Sequence, residues 1–199
     1  MAAATMRALR ALPAWPFAPL TPMKLAELAK LRTPIAAMAV VIVLSNVLVQ
    51  HPINDWLTWG AFSYPFVFLV SDLTNRALGP MAARRVAWVG FALAVLVSLL
   101  LAPWRIALAS GSAFLFSQVM DILVFNRWRR QTWWKAPLIG NLVASVVDTG
   151  VFFFLAFAGS DMDWLSLATG DLAVKAAMAT LLLAPYRALL PRLSTWAAP

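Results

Sequence analysis

The chain has 199 residues, 62% of them hydrophobic and only 12% charged, with a formal net charge of +8. Soluble domains are about 45–50% apolar and about 25% charged, so this composition suits one membrane-embedded bundle and leaves no room for a second globular domain. With no cysteine and one histidine, His51, disulfides, thiolate chemistry and clustered His/Cys metal sites are excluded.

Residues 1–32 read as a cytoplasmic N-terminal tail. Pro13, Pro16, Pro19 and Pro22 interrupt the only apolar stretch that could serve as a signal peptide, and Lys24–Arg32 reads as a short amphipathic entry helix. Six apolar runs over 33–190 then predict an all-α, six-helix transmembrane domain, followed by a cytoplasmic C-terminal tail, 191–199. The first span runs Thr33–Gln50 and stops at His51-Pro52. The second, Trp59–Asn75, stops at Arg76 and Gly79-Pro80, and Pro65 should kink it. The third is Val86–Ala102, stopped by Pro103. The fourth, Ile106–Asn126, stops at the basic run Arg127–Arg130. The fifth, Pro137–Ala158, stops at Gly159, and the sixth is Trp164–Tyr186. At helical rise each is about 25–34 Å long, the thickness of the hydrocarbon core. Spans 3 and 4 have almost no linker and should be antiparallel neighbours.

Charge sets the orientation. Fourteen of the sixteen Lys and Arg residues fall in the tail, the 2–3 loop (Arg76, Arg84, Arg85), the 4–5 loop (Arg127, Arg129, Arg130, Lys135) and the C-terminus. The opposite loops hold Arg105 with Asp55, Asp161 and Asp163, so both termini are expected in the cytoplasm. Tryptophans 59, 88, 104, 133, 134 and 164 lie near span ends, where indoles anchor at the interface.

Polar residues inside the spans point to function, because a charge at the bilayer centre costs at least about 2.5–3.5 kcal/mol. Span 1 has Asn46 and Gln50, span 2 Asp72 and Asn75, and span 4 Gln118, Asp121 and Asn126. Span 5 has Asn141 and Asp148, and span 6 Asp171 and Lys175. Gln118 and Asp121 share one face. Asp171–Lys175 and Asp72–Arg76 have i,i+4 spacing, which allows local pairing. Asp148 sits mid-span, and Lys175 is the cation within the spans that could reach it from another helix. Asn46, Gln118 and Asn141 could equally be interhelical hydrogen-bond glue. Asp121 could be a counter-ion for Arg127–Arg130, and the many Phe residues packing or lipid-facing. The chain has no phosphate-binding loop, no Ser–His–Asp set and no metal cluster, which disfavours an enzyme.

The ordered set of motifs resembles the bacterial queuosine precursor transporter family, also called vitamin uptake transporters. It comprises Ser45-Asn46 through Gln50; Trp59 through Asn75 with Ala83-Arg84-Arg85; and Ser117-Gln118-Val119-Met120-Asp121 running to Asn126-Arg127 and Trp133-Trp134-Lys135-Ala136-Pro137. Asp148-Thr149 with Phe152–Phe154, and Asp171 with Lys175, complete it. The resemblance covers Ser45 to Tyr186. It implies a secondary transporter of the bacterial inner membrane importing 7-cyano-7-deazaguanine, and in some cases its aminomethyl relative, for queuosine synthesis in tRNA. The ligand suits the residues: a carboxylate accepts two N–H donors of a base edge, Asn and Gln serve the remainder, and Phe stacks on the faces. The substrate-binding residues expected are Asn46, Asp72, Gln118, Asp121, Asn126, Asp148 and Lys175, with Asp148 the titrating group of any proton-linked cycle. Expected partners are the small-molecule substrate and membrane lipid, with a homodimer compatible and no nucleic acid, cofactor or metal. Two other readings are a substrate-binding subunit energised by a separate ATPase, and a membrane enzyme or helical assembly factor.

Overall fold

The computed structural model describes residues 25–54 and 57–193; most of the expected tail 1–32 and residues 194–199 lie outside them. Helix α1, Leu25–Leu48, runs unbroken through Lys30, Arg32 and Pro34, so the expected entry helix is the first part of the span itself. Two short antiparallel strands follow, β1 (Pro52–Asn54) and β2 (Leu57–Thr58), in place of the expected loop. A single turn of helix, α2 (Gly60–Ser63), leads through Tyr64-Pro65 into α3 (Phe66–Leu78). The remaining long helices are α4 (Pro80–Leu101), α5 (Trp104–Trp128), α6 (Lys135–Phe157) and α7 (Trp164–Leu181). Helix α8 (Leu183–Leu189) and a 3-10 turn at Leu190–Arg192 end the described chain.

Two boundaries differ from expectation for backbone reasons. The expected 2–3 loop is only Gly79, whose φ of 88° is open to glycine at little cost, and Pro80 then starts α4 at its first position. Arg84 and Arg85 are therefore helical. The second span is interrupted where Pro65 cannot donate a backbone hydrogen bond, leaving 13 residues in α3. Among the described residues, five helical segments are long and apolar enough to cross a membrane: Leu28–Leu48, Pro80–Leu101, Trp104–Trp128, Lys135–Phe157 and Trp164–Arg192.

The chain is a multi-pass, all-α membrane protein apart from the small β1–β2 ribbon. Leu96, Leu99, Leu100, Leu108, Val146, Phe154 and Leu181 are exposed, while Asp72, Gln118, Asp121, Asp148 and Lys175 are buried. In water that arrangement would be inverted; in lipid, apolar side chains meet the acyl chains and polar ones are confined to the interior. Trp59, Trp104 and Trp134 are exposed near helix ends, as interfacial anchors should be, whereas Trp88, expected at a span end, lies more than two turns inside α4 because that helix begins at Pro80.

Helices α5 and α6 form the most extensive seam. Small residues permit it: Ala107, Ala109, Ala113, Gly140 and Ala144 are all buried. Against α4, a Cβ added to Gly111 would stand 2.7 Å from Val95 Cγ2. One apolar core joins α1, α3, α4 and α5 through Met38, Ile42, Val67, Val86 and Phe114. A second, around Leu73, Phe125, Leu182 and Tyr186, closes the arginine-rich end. At the other end Arg105 Nε and Nη2 donate to the carbonyls of Leu155 and Ala158, at 3.0 and 2.7 Å, capping α6.

Candidate functional site

A cavity of about 580 Å³ occupies the end of the bundle opposite the arginine-rich one. Its walls are the last turn of α1 (Ser45, Asn46) with Val49 just beyond it, the β1–β2 ribbon, α2 and the C-terminal aromatics of α6 (Phe152, Phe153, Phe157). Tyr64, Asp148, Asp171 and Lys175 also line it. The interruption at Pro65 places Tyr64 here, where a continuous helix would have set its direction by the helical repeat.

These four side chains form one closed network. Lys175 Nζ donates to Asp148 Oδ2 at 2.7 Å and to Thr149 Oγ1 at 3.2 Å, and it pairs with Asp171 Oδ2. Tyr64 donates its hydroxyl to Asp148 Oδ1 at 2.8 Å, and Ser117 Oγ, its proton shared with the Phe114 carbonyl, lies 3.2 Å from the same oxygen. Thr149 donates to Asp171 Oδ2 at 2.7 Å. The ammonium also stands 5.4 Å from the Tyr64 ring centroid, within cation–π range. All three Lys175 donor directions are thus engaged, which is what a buried ammonium requires. The expected Asp148–Lys175 pair is present across α6 and α7, and Lys175 holds Asp171 as well. Asp148 is therefore ion-paired at mid-span.

Of the other expected site residues, one lines the cavity and the rest lie elsewhere. Asn46 is in the cavity wall, donating to the Ile42 carbonyl and accepting from Ser98. Asp72, Gln118 and Asp121 are buried beyond the cavity floor, toward the arginine-rich end, and do not line it. Asn126 is farther still, donating to the Ile122 carbonyl and accepting a long contact from Arg129. Asp121 makes no ion pair with Arg127–Arg130, and Arg76 does not close onto Asp72. Its Nε donates instead to Tyr186 at 3.0 Å and its Nη1 to the Arg129 carbonyl at 2.7 Å. Arg129 donates in turn to the Asn75 carbonyl, and Arg76 lies over the Phe125 ring, so this end is latched shut. Burial, then the neighbouring Arg76 and Arg130 charges, lowers the Arg129 pKa from its ordinary value.

Sequence reasoning missed Tyr64 and did not assign Asp171 to the site. The available signal was that the chain has only two tyrosines, Tyr64 beside the proline of a span and Tyr186 in the last one. Both use their hydroxyls on charged partners. Nothing among the described residues groups three metal-ligating acids or histidines.

Comparison with known proteins agrees with this architecture. The family profile described as putative vitamin uptake transporter matches residues 58–102 and 98–189. A queuosine precursor transporter of Escherichia coli (strain K12) is 37% identical over 165 residues, covering 68% of this chain and 75% of the relative. A probable queuosine precursor transporter of Haemophilus influenzae (strain ATCC 51907 / DSM 11121 / KW20 / Rd) is 34% identical, covering 59% of this chain and 65% of that protein. One from Bacillus subtilis (strain 168), also named a probable queuosine precursor transporter, is 28% identical over 65% of this chain and 69% of its own length. No solved structure matches the chain. The family profile, the Escherichia coli relative and the apolar exterior agree, and the chain belongs to the queuosine precursor transporter family.

Proposed function

We propose that this chain imports a queuosine precursor, 7-cyano-7-deazaguanine or its aminomethyl relative, across the bacterial inner membrane. The names of the relatives support the substrate class. The observation that carries the reading is the cavity of about 580 Å³, walled by Phe152, Phe153 and Phe157 and floored by the Tyr64–Asp148–Lys175–Asp171 network. Pockets for small ligands span about 300–1,000 Å³ and combine apolar walls with a few directed polar groups.

In this reading six spans cross the membrane, the interrupted α2–α3 segment being the second, with residues 33–190 as the transport domain and both termini in the cytoplasm. The positive-inside distribution supports that orientation. The cavity then faces outward and the arginine latch closes the inner side, one half of an alternating-access cycle.

Within the cavity, Asp171 Oδ2 accepts from Thr149 and Lys175, while Oδ1 has no hydrogen-bond partner among the described residues. Oδ1 is the acceptor we assign to the N–H edge of the base. Asn46 keeps one amide N–H and one lone pair beyond its two bonds and serves the ring carbonyl or a further donor. The phenylalanines cover the faces of the ring. Asp148, with both oxygens already accepting, holds the floor together.

The test is thermal melting of the detergent-purified chain against rising 7-cyano-7-deazaguanine. Tm should climb with ligand concentration by linkage, and Asp171→Asn, which keeps an amide oxygen for Lys175, should need about tenfold more ligand, about 1.4 kcal/mol. No shift in folded protein, or an unchanged response in both Asp171→Asn and Asn46→Ala, would overturn the reading.

A further inference from the structure

One helical turn beyond the cavity floor lies a second polar cluster that the cavity does not reach. On α5, Ser117 touches Asp148 of the floor, while Gln118 and Asp121 continue inward on the same helix. On α6, Asn141 is two turns, about 10 Å, inward of Asp148. Asp72 and Asn75 enter from α3. All five are almost fully buried: Gln118 is 0% exposed, Asp72, Asn75 and Asp121 are 1%, and Asn141 is 4%. A Cβ on Gly140 would stand 2.7 Å from Asp121 Oδ1, so α6 packs directly over that carboxyl.

The hydrogen-bond inventory of this cluster is unbalanced. Both Asp72 oxygens, Asp121 Oδ1, Gln118 Oε1, Asn75 Oδ1 and Asn141 Oδ1 are buried without a protein donor. The unpartnered donor atoms are Gln118 Nε2, Asn75 Nδ2, the Ser71 hydroxyl and, on the inner side, Arg76 Nη2. Six acceptor oxygens face four donor atoms, and two carboxyl groups, Asp72 and Asp121, share the buried layer. A proton added to one carboxylate oxygen supplies a missing donor, removes a like-charge repulsion and needs no cavity volume.

We propose that the Asp72–Asp121 pair is the proton-carrying site of the transport cycle, separate from the substrate cavity, whose floor it adjoins. This deepens the transport reading and rests on it. A hydronium ion from the outer side gives its proton to a carboxylate oxygen, forming an O–H bond and leaving water. After the bundle reopens inward, that bond breaks and the proton passes to water in the cytoplasm; nothing is oxidised or reduced. Asp148, which the sequence favoured for this role, has both oxygens committed to Lys175 of α7, Tyr64 and Ser117 in the cavity floor.

The charged groups around the pair fit this assignment. Arg76 of α3 is the cation that bears on Asp72; its Nε and Nη1 are engaged by Tyr186 of α8 and the Arg129 carbonyl, and its Nη2 is buried without a partner. Arg129, past the end of α5, is directed to the Asn75 carbonyl and Asn126. Arg84 of α4 is buried and itself partnered. The α6 residue facing the pair is uncharged Asn141.

Two measurements on the full chain test this. The first is substrate-free infrared difference spectroscopy at neutral pH in lipid. A protonated-carboxyl C=O band should be present, weakened in Asp72→Asn or Asp121→Asn and retained in Asp148→Asn. Its absence from the wild type, or its persistence unchanged in both pair variants, overturns the proposal. The second is uptake of 7-cyano-7-deazaguanine by proteoliposomes. An acid-outside gradient should drive accumulation above equilibrium, and Asp121→Asn should abolish it while preserving ligand-dependent melting and substrate exchange. Exchange without acid-driven accumulation in the wild type, or accumulation that follows sodium at fixed pH, overturns the proton site and leaves the transport reading standing. Loss of binding and exchange in the wild type would instead remove the transport reading and, with it, the coupling role.

Discussion

Replacing Lys175 with methionine is expected to stop uptake and to destabilise the protein by about 3–5 kcal/mol, because the change leaves Asp148 and Asp171 buried together without their cation. Methionine matches the length of the lysine stem, so the loss would come from charge and hydrogen bonding rather than volume. The cost lies in stranding the carboxylates rather than in the intrinsic value of the ion pair. The double variant Lys175→Met/Asp148→Asn should therefore regain much of the stability and none of the transport. Melting temperature and vesicle uptake of the single and double variants check this. A single variant as stable and active as wild type would mean that the network does not organise the cavity floor.

Gly60→Ala is the second substitution expected to have a large effect. Gly60 is buried at the start of α2 and lines the cavity, and an added Cβ would stand 2.8 Å from both Cα and Cβ of Val49, the residue after α1. The obstacle includes backbone, which cannot turn aside as a side chain can. The helix ends must separate, at about 1–3 kcal/mol for overpacking of this kind, and the cavity wall between Asn46 and Tyr64 moves with them. The control is Gly150→Ala on α6, where a Cβ meets nothing within 4 Å. That change should leave melting and uptake unaltered or slightly raise stability, because alanine is the better helix former. Equal behaviour of the two variants would contradict the close packing of α1 on α2.

These expectations depend on features the sequence revealed unevenly. Spans 4 and 5 were legible to within two residues, since basic and glycine punctuation ends them. The boundary at Gly79-Pro80 was visible as a stop but not as an immediate restart: a glycine at positive φ followed by a proline at the first helical position makes a one-residue turn, and residues 80–85, read as loop, became helix. The β1–β2 ribbon had no alternating pattern to announce it. Among polar residues, Asp148–Lys175 was legible because Lys175 is the cation within a span that could answer a mid-span acid. Periodicity also put Gln118 and Asp121 on one face. It could not say at which level of the bundle that face meets α3 and α6, and so one expected site became two layers, a cavity at Asp148 and a closed cluster at Asp72 and Asp121. Depth is set by how helices slide along one another, and small residues such as Gly140 set that through contacts distant in sequence.

The central claim is that this chain carries the deazaguanine base by itself. The measurement that tests it most directly is uptake of labelled 7-cyano-7-deazaguanine into vesicles containing only the purified chain, beside vesicles containing Lys175→Met. The account predicts uptake that saturates with substrate in the first and background in the second. Uptake that is absent from the folded chain alone and arises only when an ATP-hydrolysing complex is added would contradict it, and would make the chain the substrate-binding subunit of a larger machine.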